Sequence, residues 1–400
     1  MTTQASAITQ SSEQEQFQTS QVLPIVGAHF VQDLYTACVA PLLPVFIEKF
    51  TLSLTQAGAL TAALQIPAVL NPFIGYLADK VSLRYFVIFA PAVTATLVGL
   101  MGFAPGYFAL ILLLFTAGVS VAAFHAPAPA MVARASGKQV GFGMSLFMSG
   151  GATAYAVGPL LAVWAVSTWT LEGFWRTAVL GWAATLILYW RLRGLSARTE
   201  RPGSLRAIIP QVVSFFLPLG LYGLFGTPLL ECLSTYLPTY MSGEGSSLWV
   251  AGASLSISMI AGVGGVLLSG PLSDRLGRRW VLLIAAVSSS LLMLAFLNVE
   301  DWLVIPVLFL LGFTSHSTTP VMLAMVQEHF PRNRAAANGF YMLIFFMIRP
   351  LGTLLVGILG DQLGLDTAFF WSAIISLLSV PFVLAIPAGT KAGSLELDTV

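Results

Sequence analysis

The chain has 400 residues, of which 18 are Lys or Arg and 17 Asp or Glu; charged side chains make up 9% of it and hydrophobic ones 57%, with a mean hydropathy of +0.85. Soluble domains carry about 25% charged residues, so this composition excludes a water-soluble enzyme, a nucleic-acid binder and a disordered chain, none of which could cover its surface with so few charges. A net charge of +1 gives no long-range field for polyanions, and two cysteines, Cys38 and Cys232, are too few for a disulfide scaffold or a metal cluster.

A transmembrane helix needs about 20 apolar residues. The uncharged runs predict twelve such spans, at 22–47, 54–77, 85–103, 107–132, 139–166, 174–193, 207–240, 248–271, 280–297, 302–326, 335–360 and 366–387. Ahead of them, residues 1–21 are rich in Gln, Ser and Thr and hold no basic residue, so they lack the positive start of a signal peptide and read as a disordered cytoplasmic tail. Residues 388–400 read as a second tail. The charged stretch 194–206, with Pro202 and Gly203, reads as a linker between an N-terminal six-helix bundle (22–193) and a C-terminal one (207–387).

Lys and Arg collect in short cytoplasmic loops. All but Lys49, Arg176 and Arg349 of the 18 fall in the connections that follow even-numbered spans or in the C-terminal tail, which places both termini in the cytoplasm.

The two halves are related. Gly75, Asp79 and Arg84 recur 195 residues later as Gly270, Asp274 and Arg279, with Arg275, Gly277 and Arg278 in the second copy. At an offset of 194, Cys38 matches Cys232, Leu43-Pro44 matches Leu237-Pro238 and Gly158 matches Gly352. The repeated loop reads as a latch: its Gly lets a helix end close to its neighbour, and its Asp caps a following helix or pairs with an Arg across the bundle. Such pairs can form in one conformation and break in another.

The loop resembles the signature of the major facilitator superfamily, the first copy being degenerate where Ser82 stands in place of a Gly. Gly27-Ala-His29-Phe-Val-Gln-Asp33, Pro41 to Pro44, Phe124-His125, Ala133 to Gly137, Gly150-Gly151 and Gly158-Pro159 look like its fosmidomycin-resistance branch. Ala126 and Pro127 depart from the Pro-Glu usual after the helix 4 His. The resemblance implies an all-α fold of twelve transmembrane helices in two pseudo-symmetric bundles, and a proton-driven exporter of small drugs, fosmidomycin being an anionic phosphonate. Gly150-Gly151, Ala154, Gly158 and Pro159 resemble the superfamily's antiporter motif, with Ala154 where a Gly is expected; small residues there also suit close packing.

Ionisable groups inside a membrane are costly and mark functional candidates. Asp33 lies near the middle of the first span, with His29 one turn earlier on the same face, and is the expected proton-coupling residue, His29 its relay. His125 sits in an Ala/Pro-rich stretch whose free carbonyls either satisfy it or leave it facing a cavity. His316, in a polar patch of the tenth span, either lines the cavity or bridges helices. Arg349, mid-span in the eleventh, offers bidentate donors for an anionic substrate or balances Asp33 or Glu231. Glu231, at the position of Ala37 in the other half, is an outer gate, a second proton site or a hydrated residue near the interface. Gln65, Asn71 and Tyr155 are candidates for the cavity wall.

No nucleophile elbow, metal-ligand spacing or Walker motif occurs in the sequence, so neither an enzyme nor a cofactor is expected, and the energy source is an ion gradient or the substrate's own. The expected partners are a small-molecule substrate, protons and the lipid bilayer, with no nucleic acid, and the chain is expected to act as a monomer. The mechanism read from the sequence is alternating access, with protonation of Asp33 biasing the equilibrium while substrate sits near Arg349. The rival readings are a transporter of a native small organic anion and, further off, a receptor built on the same fold.

Overall fold

The computed structural model describes residues 17–71, 73, 74, 77, 83–193, 212–330 and 334–387. Gly75 and Asp79, with residues 1–16, the linker 194–206 and the tail 388–400, lie outside these. The described residues are helical with no strand, and ten of their helices are long and apolar enough to cross a membrane. They are α1 (Thr19–Phe50), α3 (Arg84–Phe103), α4 (Tyr107–Ala135), α5 (Val140–Trp169), α7 (Val213–Gly243), α8 (Leu248–Leu276), α9 (Arg278–Phe296), α10 (Asp301–His329), α11 (Arg334–Leu363) and α12 (Leu365–Ala385). The second and sixth spans expected from sequence are α2 (Leu54–Leu70) and α6 (Val179–Leu192), the latter reached through a 3-10 stretch at Glu172–Ala178. The chain is thus an all-α multi-pass membrane protein.

Several helices are broken where the sequence removes backbone donors. α4 breaks at Ala126-Pro127, just after His125, because Pro has no N–H to donate. α1 is interrupted at Cys38. α7 carries π-turns at Val212–Phe216 and Cys232–Tyr236, the second beginning directly after Glu231; such turns recur at functional sites.

The internal repeat extends into backbone conformation. Thr51 and Gly245, 194 residues apart, both take a positive φ of 54° and 83°, and Thr170 and Gly364, at the same offset, take 63° and 83°. Two residues after the first corner, Ser53 caps α2, accepting from the Gln56 N–H at 3.2 Å while Gln56 Oε1 accepts from the Ser53 N–H at 2.9 Å. The matching Ser247 accepts from the Val250 N–H at 3.3 Å at the start of α8. A side-chain oxygen there satisfies one of the orphan donors of the first turn.

By contact the chain forms two compact units, Met1–Arg201 with Thr235–Ser256, and Pro202–Ser234 with Ile257–Val400. The stretch Thr235–Ser256, assigned from sequence to the C-terminal bundle, therefore clusters with the first unit. Leu237–Gly243 packs on Val39–Phe50, Tyr236 donates its hydroxyl to the Leu54 carbonyl at 3.2 Å, and a Cβ on Gly252 would sit 2.6 Å from Val163 Cγ2. In the first unit one large core runs from Tyr35 and Leu42 to Leu110 and Phe174, and a second gathers Val22, Ile25, Phe124 and Phe147. The core of the second unit joins Phe215, Phe216, Met325 and Tyr341.

Candidate functional site

In the first unit, Asp33 and its neighbours form a closed cluster. Asp33 is 7% exposed, and its two carboxylate oxygens face two imidazoles: His29 Nε2 lies 3.2 Å from Oδ2, and His125 Nε2 3.2 Å from Oδ1. The first contact is one helical turn and was visible as an i,i+4 pair. The second needs α4 to cross α1, and sequence reasoning missed it. Each imidazole turns its other nitrogen to a backbone carbonyl, His29 Nδ1 to Phe147 at 2.7 Å and His125 Nδ1 to Val121 at 3.0 Å. Of the two readings left open for His125, its ring is satisfied by a carbonyl, and its other nitrogen faces the acid rather than the described cavity. The His29 ring stacks on Phe147 at 3.9 Å between centroids.

Glycine makes this seat possible. A Cβ on Gly151 of α5 would lie 2.7 Å from His29 Cε1 and 2.8 Å from Asp33 Oδ2, and one on Gly150 would lie 2.8 Å from the Val26 carbonyl oxygen. The antiporter-like glycines thus act by packing, letting α5 lie against the face of α1 that carries both polar groups; Ala154, where a Gly is expected, is itself fully buried. Beside the cluster runs a buried chain from Gln32 Nε2 to Thr94 Oγ1 (2.7 Å) and on to Ser120 Oγ (2.9 Å), tying α1, α3 and α4; nothing in the sequence singled it out. The ligand-type atoms of His29, Asp33 and His125 lie within 4.8 Å of one another.

The second unit holds a different arrangement. Glu231 is fully buried, so the hydrated reading of this residue is corrected: its position is interior. Arg349 Nε donates to Glu231 Oε1 at 2.9 Å, and Thr353 Oγ1 lies 2.9 Å from Oε2. Of the two partners open to Arg349, the structure pairs it with Glu231. Arg349, with its side chain 35% exposed, also lines a cavity of about 290 Å³ together with His316, Tyr222, Tyr341 and Phe345. His316 fits against Gly262, where a Cβ would lie 2.6 Å from its Cδ2, and its Nε2 has no hydrogen-bond partner among the described residues.

The residues expected to bind substrate therefore divide. Arg349 and His316 line the cavity; His125, Gln65, Tyr155 and Asn71 belong to the first unit and do not. Tyr155 accepts from Thr36 Oγ1 at 3.3 Å. Gln65 Oε1 and Asn71 Oδ1 are buried with no hydrogen-bond partner among the described residues.

The second copy of the repeated loop joins α8 to α9. Arg278 binds Asp274 at 2.5 Å and Glu328 of α10 at 2.7 Å, and also donates to the Gly270 carbonyl and Ser273 Oγ. Arg279 donates to the Ile386 carbonyl, and Arg275 is exposed. One role expected from sequence is corrected. A Cβ on Gly270 would meet nothing within 4 Å, so close approach does not require that glycine. The glycine that the backbone needs is Gly277, at φ 94°. In the first copy, Arg84 opens α3 with its guanidinium 5.0 Å from the Tyr85 ring centroid.

Comparison with known proteins agrees with this architecture. The sequence matches the Major Facilitator Superfamily over residues 25–275 and 256–397. It is 25% identical over 385 residues to an uncharacterized MFS-type transporter, YfnC, of Bacillus subtilis strain 168, covering 92% of this chain and 93% of that one. It is 24% identical over 374 residues to the fosmidomycin resistance protein of Escherichia coli strain K12, covering 89% and 91%. Among solved structures, a bacterial homolog of the human lysosomal transporter Spinster, inward-facing and occupied, superposes with a TM-score of 0.79 at 14% identity over 92% of this chain and 97% of that one; at that identity the likeness concerns the fold.

Proposed function

The chain belongs to the Major Facilitator Superfamily, so it is a membrane transporter of small molecules rather than an enzyme, and we propose that it is a proton-coupled exporter of small anionic compounds such as fosmidomycin, working by alternating access. The observation that carries the coupling is the carboxylate of Asp33 held between two imidazoles in an apolar bundle. A carbonyl oxygen only accepts, so the Nδ1 atoms of His29 and His125 both carry hydrogen. Each Nε2 then faces an Asp33 oxygen, and each contact is a hydrogen bond only when a proton occupies it.

The cluster thus has two seats for protons. With both filled its net charge is +1, with one filled it is neutral, and with neither it is −1. Charge out of water is expensive, so loading or emptying these seats alters the relative cost of exposing and enclosing the cluster, which is what a coupling site must do. Export of an anionic drug is supported by the likeness to the fosmidomycin resistance protein over most of both chains. Cytoplasmic termini and an inner-membrane location are supported by the confinement of Lys and Arg to alternate connections, and a monomer is the working assembly. A native small organic anion as the physiological cargo is a second reading, favoured by the presence of one guanidinium in a small aromatic cavity.

The test is growth of an exporter-deficient bacterial host across graded fosmidomycin, with membrane levels of each protein measured. The intact chain is expected to protect, and Asp33→Asn and Arg349→Ala to remove protection at equal membrane abundance. Full protection by Asp33→Asn would overturn the coupling role.

A further inference from the structure

We propose that the Arg349 cavity binds a single-ring organic carboxylate together with one proton, taken from solvent by Glu231. The inference rests on the transporter reading and adds to it a ligand class and a second proton site in the other unit. Ligand pockets for drug-sized molecules occupy about 300–1,000 Å³; at about 290 Å³ this one suits a small solute. Its walls carry the rings of Tyr222, Tyr341, Phe345 and Phe346, and Arg349 is the one permanently charged lining residue among those described. A flat ring bearing a carboxylate matches both features, the ring against aromatic faces and the carboxylate on a guanidinium.

Charge then sets the stoichiometry. Glu231 does not line the cavity; it lies fully buried behind Arg349 and neutralises it. An anion arriving on the cavity side gives Arg349 two carboxylates, leaving one negative charge in excess away from water, which is costly unless it is neutralised. The site restores neutrality by protonating one acid.

Thr353 shows which acid is prepared for this. Its hydroxyl has a single proton and two acceptors in reach, the Arg349 carbonyl oxygen at 3.1 Å and Glu231 Oε2 at 2.9 Å. While Glu231 is ionised, the two compete for that proton. Once Glu231 is protonated it donates to Thr353 Oγ1, Thr353 donates to the Arg349 carbonyl, and both contacts are hydrogen bonds with no atom moved. Arg349 Nε still donates to Oε1.

Among the described residues, the other titratable groups facing this site are few. From α11 come Arg349 and Tyr341, from α10 His316, and from α7 itself Tyr222 and Cys232. α9 brings the hydroxyl of Ser289 to the cavity and α12 those of Ser376 and Ser379; the charged residues of these helices, Arg278 and Arg279 at the start of α9 and Asp366 in the first turn of α12, are not among its lining. His316 is the competing proton acceptor. An exporter that releases its anion with one proton must admit more than one in return, and the two seats around Asp33 meet that requirement.

The experiment uses the purified full chain in lipid nanodiscs, with benzoate as the probe, a pH indicator in weakly buffered solution and calorimetric titration alongside. Expected for the intact protein are uptake of about one proton per benzoate bound and a Kd that weakens about tenfold per pH unit above neutrality. Benzamide, the uncharged analogue, is expected to cause no uptake. Glu231→Gln, which keeps both hydrogen bonds of the protonated acid, is expected to bind benzoate at all these pH values with no proton uptake; Arg349→Met is expected to lose binding. His316→Asn and Asp33→Asn are expected to retain the uptake. Benzoate binding by the intact protein without uptake, uptake that persists in Glu231→Gln, or no benzoate binding by folded protein would each overturn the inference. Loss of uptake in Asp33→Asn would move the proton to the first unit, overturning this inference while leaving proton-coupled transport standing; intact uptake with drug protection unaffected by Asp33→Asn would do the reverse.

Discussion

The contact of α1 with α5 and that of α7 with α11 are copies of one another, and they hold charge in different ways. Gly158 and Gly352, 194 residues apart, each bring the paired helices together: a Cβ on the first would lie 2.6 Å from Ala37 Cβ, and on the second 2.4 Å from Thr227 Cγ2. At the same offset Asp33 corresponds to Thr227, Ala37 to Glu231 and Tyr155 to Arg349. One copy thus places its acid a turn earlier and surrounds it with imidazoles; the other places it a turn later and gives it a guanidinium. An imidazole can carry one ring hydrogen or two, whereas guanidinium stays charged. The close contact is common to both copies, and the ionisable groups stand at different positions along its helices, so that one half sets its acid against imidazoles and the other against a fixed cation.

Substitutions can break this contrast. The largest effect on stability is expected from Glu231→Ala, which leaves Arg349 without its buried carboxylate; a loss of about 3 kcal/mol, the low end for breaking a buried pair because the Arg349 side chain is 35% exposed, is read as a lower unfolding midpoint in detergent, with Glu231→Gln far milder. Gly151→Val is next. It drives side-chain atoms into His29 and Asp33, so a loss of about 1–3 kcal/mol is expected from overpacking, together with loss of drug protection, while Gly270→Ala, which meets nothing, is expected to be neutral or to stabilise by up to about 1 kcal/mol.

The smallest effect sharpens the comparison from outside the spans. Glu172 lies in the lead-in to α6, where a hydrogen bond from Lys49 at 2.9 Å is the chief cause that brings its carboxyl down from 4.5 to about 2. A lowered folded value means stability that is present above the unfolded value and lost as pH falls from about 4.5 towards 2. The Glu172 side chain is half exposed and that of Lys49 about a third, so the effect is slight. Lys49→Met is expected to flatten the pH dependence of the unfolding midpoint in that window and to leave transport at pH 7 unchanged.

Local patterns were the readable part of the sequence. The His29–Asp33 pair follows from helical spacing alone, and the spans follow from runs without charge. His125 was found as a residue of interest but without its partner, because the helix 4 break and the crossing of α4 over α1 involve residues some 90 positions apart. The position of Glu231 toward the outer part of its predicted span suggested water; the ion pair with Arg349 and the contact with Thr353, both on α11, give it an interior place instead. Thr353 was overlooked since a lone threonine in an apolar helix ordinarily bonds its own turn, which it does here while also reaching Glu231.

By itself the sequence determined the solvent, the number and order of the spans, the duplication and the short list of intramembrane polar groups, all of which are set by composition and by periodicities no longer than one helical turn or by one fixed offset. The tertiary structure decided which of those groups meet. A helix can be rotated about its axis or slid along a neighbour with no change in its hydropathy, and what fixes that rotation is close contact at residues such as Gly151, Gly158 and Gly352, against surfaces far away in the chain. Those contacts placed Asp33 between two histidines and Arg349 between a buried carboxylate and a cavity.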